Sequence, residues 1–416
     1  MNKKFDECAE DVLRATSDII KKHGPRVSGS KGNRGAVEDL FARLGGYCTK
    51  IAKETFWIHP DSLFAIGEIF ALIYVIGILS IFINSPLSLA IGYIAMLSGT
   101  VFCAAQFILY LDTFDWLFGR VEGNNIIGTI EPKEPTKQQV ILVAHHDSSP
   151  VYPFYEKFPS LFSIRLIVPI VLFLFCHLVL LYASCVTFLS GGTPTVPGWI
   201  KYLLFLGLVF VLPMYGYFSK RGAPGAGDNL IGCTICIKLT ELFQSGAAVL
   251  NNTRLIVLLT DGEEVGQKGA KHFIANNKAL LKETKTSVVN IDSIYDYKDI
   301  SLVNRDRNGF TKLSGDLADK IKNIALECGH SPPILSIPFG GGGTDGGQFG
   351  RKKIETVSII GMPTALVRKE ILFHTMNDLP DKIAKEAVSA VIEMTYMYIR
   401  SVDSPKTMGM LQFPTR

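Results

Sequence analysis

Four runs of almost entirely apolar residues shape the first half of the chain, because each run is long enough to cross a lipid bilayer. Polar turns at residues 84–86 and 190–198 join the runs in pairs, so the pattern predicts four transmembrane helices arranged as two hairpins. Hydrophobic residues make up 48% of the sequence and the mean hydropathy is +0.26, both high for a wholly soluble protein. The runs cover residues 63–83, 87–111, 166–189 and 199–218.

Outside these runs, stretches with strand and helix patterns alternate along the chain. This alternation predicts an α/β fold in which a mostly parallel central sheet is flanked by helices. We therefore expect one domain, assembled from residues 1–60, 113–160 and 220–416, and interrupted by the hairpins at residues 61–112 and 161–219.

Basic residues are distributed unequally around the predicted hairpins. The two short turns contain no Lys or Arg, whereas Arg120, Arg165, Lys220 and Arg221 flank the runs on the side of the domain. The positive-inside rule therefore predicts that the domain and both termini are cytoplasmic. The eight scattered cysteines agree, since free thiols are typical of a reducing compartment. The N-terminus lacks the apolar core of a cleaved signal peptide.

A few polar and aromatic side chains have expected positions relative to the membrane. Tyr110, Trp116 and Phe118 follow the second run and fit an interfacial aromatic belt. His177 lies in the middle of the third run, where we expect a hydrogen-bonded packing role between helices rather than a functional one. The net charge of +4 gives no indication of a polyanionic partner, so nucleic acid binding is not expected.

Two adjacent carboxylates follow an apolar stretch that is typical of a buried strand. The strand covers residues 254–260, and Glu263 and Glu264 come three residues later. Ligands and chemistry usually lie at this edge of an α/β sheet. Neighbouring carboxylates repel each other unless a cation or a proton separates them. One Glu could bind metal while the other stays free as a base, although a solvated acidic turn would have the same local sequence.

Other polar residues occupy the ends of strands or glycine-flanked loops. His145 and Asp147 follow the apolar stretch 140–144, and Asp292 ends another strand. Asp228 and His374 lie in loops. Imidazoles and carboxylates form a mixed ligand set that suits zinc better than manganese or cobalt. Two histidines cannot complete two tetrahedral sites, so a bridging carboxylate between a pair of hydrolytic metal ions is expected.

Six motifs in one order resemble those of the co-catalytic di-zinc aminopeptidase family, which includes bacterial leucyl aminopeptidase, aminopeptidase Y and the glutaminyl cyclases. The resemblance covers about residues 1–60, 119–150 and 222–402. It implies the zinc exopeptidase type of fold. The matching segments are Pro25–Ser30, His145–Asp147, Asp228–Gly232, Gly262–Gly269, Asn290–Asp292 and Phe373–Asp378.

The resemblance implies a role for each matching residue. His145 and Asp292 would hold one zinc ion, Glu264 and His374 the other, and Asp228 would bridge them. Glu263 would be the general base that activates a metal-bound water and then protonates the leaving amine. Asp147 would orient His145 or the metal from behind. Thr344 and Asp345 resemble a further supporting signature.

Two features depart from the family pattern. Both hairpins fall inside the domain, and the second occupies a loop at the edge that carries the site, so the site is expected to face the bilayer. Gly346 stands where the supporting signature usually continues with His, which puts a substrate contact from that loop in doubt.

These observations favour a membrane-integral zinc peptidase or amidohydrolase, most simply an aminopeptidase. Its substrate would be a peptide or a lipid-linked amide. A glutaminyl-cyclase-like acyltransferase is the first alternative, because His374-Thr-Met-Asn-Asp378 resembles that branch as well. A non-catalytic membrane scaffold on a peptidase fold is the second alternative, although no predicted ligand and no base is missing.

Overall fold

The computed structural model describes residues 3–157, 159–192, 194–245, 249–363 and 371–404, and a nine-stranded sheet runs through this part of the chain. Along the sheet the strand order is β1-β2-β4-β3-β5-β9-β6-β7, with β8 beside β6. The strands are β1 Lys50–Ile58, β2 Val121–Ile130, β3 Gln138–His145, β4 Thr253–Thr260, β5 Lys285–Ile294, β6 Ser301–Asp306, β7 Thr311–Lys312, β8 Ile334–Ser336 and β9 Glu355–Gly361.

The four central strands β4, β3, β5 and β9 are parallel to one another. The pairs β1–β2, β2–β4, β6–β7 and β6–β9 are antiparallel. The predicted α/β fold is therefore confirmed, with parallel pairing concentrated in the centre of a mixed sheet. Central strands of this kind are covered on both faces and read as continuous apolar runs, as β3 and β4 do.

Helices cover both faces of the sheet, and the alternation of side chains along each strand divides the core between them. In β3, Val140, Leu142 and Ala144 face one layer, whereas Ile141 and Val143 face the other. The first layer contains the helices Lys3–His23, Lys31–Gly45, Ile231–Gln244, Gly315–Glu327 and Lys385–Asp403, and the second contains Lys268–Asn276 and Gly346–Arg351.

Some element boundaries differ from the expected ones. The sequence pattern of residues 266–282 predicts one helix, but the structure has two, Lys268–Asn276 and Leu280–Glu283. The pattern of residues 311–328 also predicts a helix, which in the structure begins at Gly315, because Ser314 caps it by accepting the Leu317 N–H at 3.1 Å. The strands β6, β7 and β8 were not expected, since they are short, polar and close to the edge of the sheet.

Four helices are long and apolar enough to cross a membrane. They pack on one another through a shared core that includes Tyr74, Met96, Phe173 and Leu204. His177 Nδ1 lies 3.1 Å from Thr100 Oγ1 on a neighbouring helix, in agreement with the expected packing role. We call the helices span 1 (Asp61–Ile83), span 2 (Pro86–Ile108), span 3 (Pro159–Ser190) and span 4 (Gly198–Gly216).

The spans are inserted at two points of the domain. Spans 1 and 2 form hairpin 1, which connects β1 to β2, and spans 3 and 4 form hairpin 2, which follows β3. A short helix, Pro153–Glu156, lies between β3 and span 3. Hairpin 2 therefore leaves the sheet directly after the strand that ends on His145.

Candidate metal centre

Three parallel strands bring the predicted ligands to one edge of the sheet. His145 is the last residue of β3, and Asp292 lies near the end of β5 on one side of it. On the other side β4 ends at Thr260, so that Glu263 and Glu264 form the turn that follows. Because the carboxyl ends of parallel strands share one edge, residues separated by more than a hundred positions become neighbours.

Loops deliver the remaining two predicted ligands. Asp228 lies in the irregular segment before the helix Ile231–Gln244, and the carboxylate of Asp378 holds this segment by accepting the N–H groups of Gly227 at 2.7 Å and Asp228 at 3.3 Å. His374 has a left-handed backbone, with φ of 57°, and its carbonyl accepts the N–H of Tyr152 at 2.8 Å. Such backbone strain in a residue other than glycine is often found at functional sites.

The five predicted ligands form two groups that share Asp228. His145, Asp228 and Asp292 make one group, and Asp228, Glu264 and His374 make the other, with the ligand atoms of each group within 4.8 Å of one another. His145 Nε2 lies 3.2 Å from Asp228 Oδ1, and His374 Nε2 lies 3.1 Å from both Asp228 Oδ2 and Glu264 Oε2. The two oxygens of Asp228 thus point to different groups, which is the arrangement that a bridging carboxylate requires.

The chemistry of these atoms fits divalent cations. Among the described residues, the buried atoms His145 Nε2 and Glu264 Oε1 have no hydrogen-bond partner. Buried polar atoms are rarely left without a partner. Nitrogen and carboxylate oxygen together form the ligand set that zinc takes in proteins. An unsatisfied imidazole nitrogen that faces two carboxylates is therefore accounted for by a cation between them.

The carboxylates give the site a strongly negative electrostatic potential. Burial lowers the pKa of His374, but Glu264 and Asp228 outweigh this effect and raise the pKa to about 10. Burial likewise opposes protonation of His145, whose pKa is raised well above its ordinary value by Asp147, Asp228 and Asp292. Protons and metal ions compete for the same ligand atoms. A set of carboxylates that binds protons this tightly also favours a divalent cation.

The carboxylate of Asp147 joins the turn after β4 to the histidine at the end of β3. Its two oxygens accept the backbone N–H groups of Glu263 and Glu264, both at 3.2 Å. It also lies 3.5 Å from His145 Nδ1. Asp147 is fully buried. Its position is thus that of a residue that orients the ligands from behind.

Glu263 differs from its neighbour Glu264 in having no partner. Its carboxylate makes no hydrogen bond or ion pair with any residue that the structure describes. Burial raises the pKa of Glu263 well above its ordinary value, and the nearby Asp292, Asp345 and Glu264 raise it further, against the opposing effect of His145. The side chain is therefore close to both ligand groups and free to exchange a proton.

Arg26 was not identified as a site residue, although it belongs to one of the quoted motifs. Its guanidinium is fully buried and donates to three backbone carbonyls, those of His146 at 2.8 Å, Pro224 at 2.7 Å and Gly225 at 2.7 Å. Arg26 thereby connects the end of β3 to the loop that carries Asp228. A Pro-Arg pair outside any strand or helix could have suggested such a role, but its burial could not be read from the sequence.

The loop that carries Thr344 and Asp345 is hydrogen-bonded to strands β4 and β6 next to the site. Thr344 Oγ1 donates to Asp306 at 2.7 Å, and Thr260 donates to Asp345. Burial raises the pKa of Asp345 to about 7. Gly346 packs tightly, because a Cβ added there would lie 2.3 Å from Ser358 Oγ. The packing against Ser358 therefore leaves no room for a side chain at position 346.

Two tyrosines next to the spans also reach the site. Tyr110 was expected in an interfacial belt, but it packs between Gly266 and Gly342, where added Cβ atoms would lie 3.8 Å from its Cδ1 and 3.7 Å from its Oη. Tyr110 therefore packs against the domain, whereas Trp116 is 75% exposed. The Tyr152 ring lies 4.4 Å from the ring of His374. Neither position could be predicted, because each depends on how the hairpins dock.

Comparison with known proteins supports the fold and the family. Residues 214–399 match peptidase family M28. No curated protein sequence matches the chain. Similar solved structures include a Zn-dependent exopeptidase from Parabacteroides distasonis, with a TM-score of 0.56 and 12% identity over 94% of this chain and 97% of that one.

Two further solved structures show the same fold at low identity. A leucine aminopeptidase precursor from Bacteroides thetaiotaomicron has a TM-score of 0.54 and 13% identity, and covers 94% of this chain and 96% of its own. A glutaminyl cyclase from Porphyromonas gingivalis has a TM-score of 0.56 and 12% identity, and the match covers 95% of this chain and 98% of the cyclase. The family match over residues 214–399 and the shared fold therefore agree with the resemblance that the motifs carry.

Proposed function

We propose that this chain is a membrane-integral, zinc-dependent amidohydrolase, most simply an aminopeptidase that removes an N-terminal residue from a peptide or cleaves a lipid-linked amide. One observation carries the proposal. The unpaired carboxylate of Glu263 lies beside two ligand groups that share Asp228. A protein that used this fold only as a scaffold would have no need to keep a free base next to two complete ligand sets.

The residues of the two groups would hold two zinc ions. His145 and Asp292 would bind the first, Glu264 and His374 the second, and Asp228 would bind both. When bound, zinc supplies Lewis-acid polarisation of a carbonyl and lowers the pKa of water. The family match and the Zn-dependent exopeptidase among the similar structures support zinc as the metal.

Glu263 would move the proton in the reaction. One of its carboxylate oxygens would accept a proton from the attacking water and then donate it to the nitrogen of the leaving amine. General acid–base catalysis of this kind contributes about 10²–10⁴-fold to the rate. Asp147 would keep Glu263 in place by holding its backbone N–H, and at the same time fix the ring of His145.

The proposal includes a membrane topology. Residues 1–60, 113–160 and 220–416 would form the peptidase domain, and the hairpins at residues 61–112 and 161–219 would cross the bilayer. The domain and both termini would be cytoplasmic, because Arg120, Arg165, Lys220 and Arg221 lie at its end of the spans. Lys201 lies near the opposite end of span 4, where its Nζ is 5.7 Å from the ring centroid of Phe82. The four basic residues on the domain side outnumber this single one.

A glutaminyl-cyclase-like acyltransferase is a second candidate, since several similar solved structures are glutaminyl cyclases, including those of Bacteroides thetaiotaomicron and Porphyromonas gingivalis. The two candidates differ in the fate of an N-terminal glutamine. Peptides that begin with Gln and with Leu would be incubated with the protein and the products identified by mass. Loss of the N-terminal residue supports the hydrolase, whereas loss of ammonia from the Gln peptide supports the cyclase.

The general base is tested by substitution. Turnover of an amide substrate should disappear on chelation and return with zinc. Glu263→Ala should lower it by about 10²–10⁴-fold while zinc content and melting temperature stay unchanged. Glu386→Ala changes an exposed glutamate in the first turn of the last helix and serves as the matched control. Unchanged turnover in Glu263→Ala would remove the proposed mechanism.

A further inference from the structure

The end of hairpin 1 that returns to the domain, residues 108–115, is bound directly to the domain; we call it the inner end of hairpin 1. The last carbonyls of a helix have no partner within it and need donors from elsewhere. After span 2, Asn308 Nδ2 donates to Ile108 O at 3.2 Å, Arg307 donates to Leu109 O, and Lys271 Nζ donates to Tyr110 O at 2.8 Å. Three consecutive carbonyls are thus held by side chains of the domain, so this end of the span has a fixed position.

Charged contacts tie the same segment to the turn that carries Glu263. Lys268 Nζ lies 2.6 Å from both Asp112 and Asp115, and the Lys268 side chain is only 7% exposed. Lys268 begins the helix that follows the turn, only four residues after Glu264. A buried ion pair of this kind is costly to break. The turn and the inner end of hairpin 1 therefore form one rigid unit.

Tyr110 is the residue through which hairpin 1 reaches the site. Its backbone has φ of 50°, a left-handed conformation that tyrosine rarely adopts. The ring is wedged between Gly266, two residues after Glu264, and Gly342, and the Arg307 guanidinium lies 5.4 Å from the ring centroid. Burial raises the pKa of Tyr110, and the nearby Glu263 raises it further. The ring therefore forms a wall beside the proposed base.

A second aromatic wall lies next to His374, in the segment that leads from β3 to span 3. Tyr152 contacts the His374 ring and also packs on Tyr217 and Phe218, at ring distances of 5.3 and 4.8 Å, directly after span 4. Tyr155 packs on Phe162, the first residue of the long helix of span 3, at 4.6 Å. This second wall is therefore continuous with the apolar surface of both spans.

We propose that the substrate is an amphiphilic amide whose apolar part stays in the bilayer, and that the inner ends of the two hairpins present its amide bond to the metal centre, with Tyr110 as a specificity-determining residue. The inference rests on the proposed function and names its substrate class. Aromatic side chains at the ends of membrane spans occupy the interfacial layer. Here one such side chain packs against the turn that carries the candidate base, and another contacts the candidate ligand His374, so the reacting bond would lie at that depth.

The test uses full-length protein in nanodiscs and three substrates with the same N-terminal leucyl amide. One is a soluble peptide, one carries a hexadecyl chain close to the amide, and one carries the same chain behind a long Gly/Ser spacer. The two lipid-tethered substrates carry the same chain and therefore partition equally into the bilayer. A difference in turnover between them reports on the depth of the amide bond and not on its local concentration. We expect kcat/KM for the short tether to exceed that for the spacer form by at least about tenfold, because a single missing methylene in an apolar pocket already lowers kcat/KM by about 10–200-fold.

Variants test the part played by Tyr110. Tyr110→Ala should reduce the preference for the short tether several-fold, mainly through KM, whereas Tyr110→Phe should retain it. Tyr297→Ala, at a tyrosine that is 39% exposed and whose hydroxyl lies 3.0 Å from His330 Nδ1, is the matched control. Zinc content and melting temperature report on folding. Because the substrate series on the unaltered protein does not depend on any variant, a poorly folded Tyr110→Ala leaves the main comparison intact.

Three outcomes would count against the inference. Turnover of the soluble or the spacer substrate at the rate of the short tether would overturn the substrate class and leave the proposed hydrolase standing. An equal loss on all substrates in Tyr110→Ala would remove the selective role of that residue. Turnover of none of the three by zinc-loaded protein would instead overturn the proposed function itself, and this inference with it.

Discussion

The backbone N–H of Glu264 donates to the carboxylate of Asp147 at 3.2 Å, so a residue two positions after the end of β3 fixes the turn at the end of β4. The other oxygen of Asp147 holds Glu263 in the same way. A candidate ligand and the candidate base are thereby set in position by one buried carboxylate. The candidate site is built on this cross-strand contact as much as on the ligands themselves.

Asp147→Asn should therefore weaken the site without unfolding the protein. The substitution replaces one acceptor oxygen by an NH2 group, which cannot accept an N–H from the turn. Residues in this position typically contribute about 10–100-fold to metal affinity or activity. Zinc affinity measured by competition with a chelator should fall by this amount. Asp316→Asn, at an exposed helix position, should have no effect, and an unchanged affinity in Asp147→Asn would contradict the proposed role.

A pH-dependent contribution to stability is expected from Asp39, which is remote from the site. Burial favours its neutral form, but Arg43, Lys22 and His23 outweigh this effect and lower its pKa to about 2. A depressed carboxyl pKa stabilises the folded state above the unfolded pKa of about 3.9, and the contribution is lost as pH falls towards 2. Asp39→Asn should thus cost about 1–2 kcal/mol at pH 7 after allowance for solvent screening.

Thermal unfolding in one detergent at several pH values measures this effect. The melting temperature of Asp39→Asn should lie below that of the unaltered protein at pH 7, and the difference should shrink between pH 4 and pH 2. Glu38→Gln is the neighbouring control, since Glu38 pairs with Lys53 at 2.7 Å but its side chain is 67% exposed. A difference for Asp39→Asn that does not change with pH would show that its charge is unimportant.

The topology can be tested at two glycines with open space around them. Neither Gly119, after span 2, nor Gly198, at the start of span 4, has a neighbouring atom within 4 Å of an added Cβ. A membrane-impermeant maleimide should label Gly198→Cys in intact cells, and Gly119→Cys only after permeabilisation, each measured against the labelling of the native cysteines. The reverse pattern would place the domain outside the cell.

The sequence predicted the central sheet well, and it also singled out the residues that the structure gathers at one edge of that sheet, because both depend on strong local signals. A buried parallel strand is a continuous apolar run, and the residue types that follow β3, β4 and β5 are those that bind metal. The bounds of β6 could not be predicted, since Asn304 and Arg305 interrupt its apolar pattern, and β8 is only three residues long. Edge strands carry little hydrophobic signal when one side of the strand is exposed.

The roles of Arg26 and Tyr110 could not be predicted for a different reason. Each acts through contacts with segments distant in the sequence, at positions where local pattern gave another interpretation. Tyr110 has the sequence context of an interfacial residue, yet its left-handed backbone and the two glycines beside it place the ring in the domain. Only the docking of hairpin 1 determines this position.

Zinc content of the purified, detergent-solubilised protein, measured together with amide turnover in the same preparation, tests the central claim most directly. Two zinc ions per chain are expected in the unaltered protein and in Glu263→Ala, which should be inactive. His374→Ala and Asp292→Ala should each retain about one, because each removes a ligand from a different group around Asp228. A protein that binds no zinc after loading, or a Glu263→Ala variant that is fully active, would contradict the account.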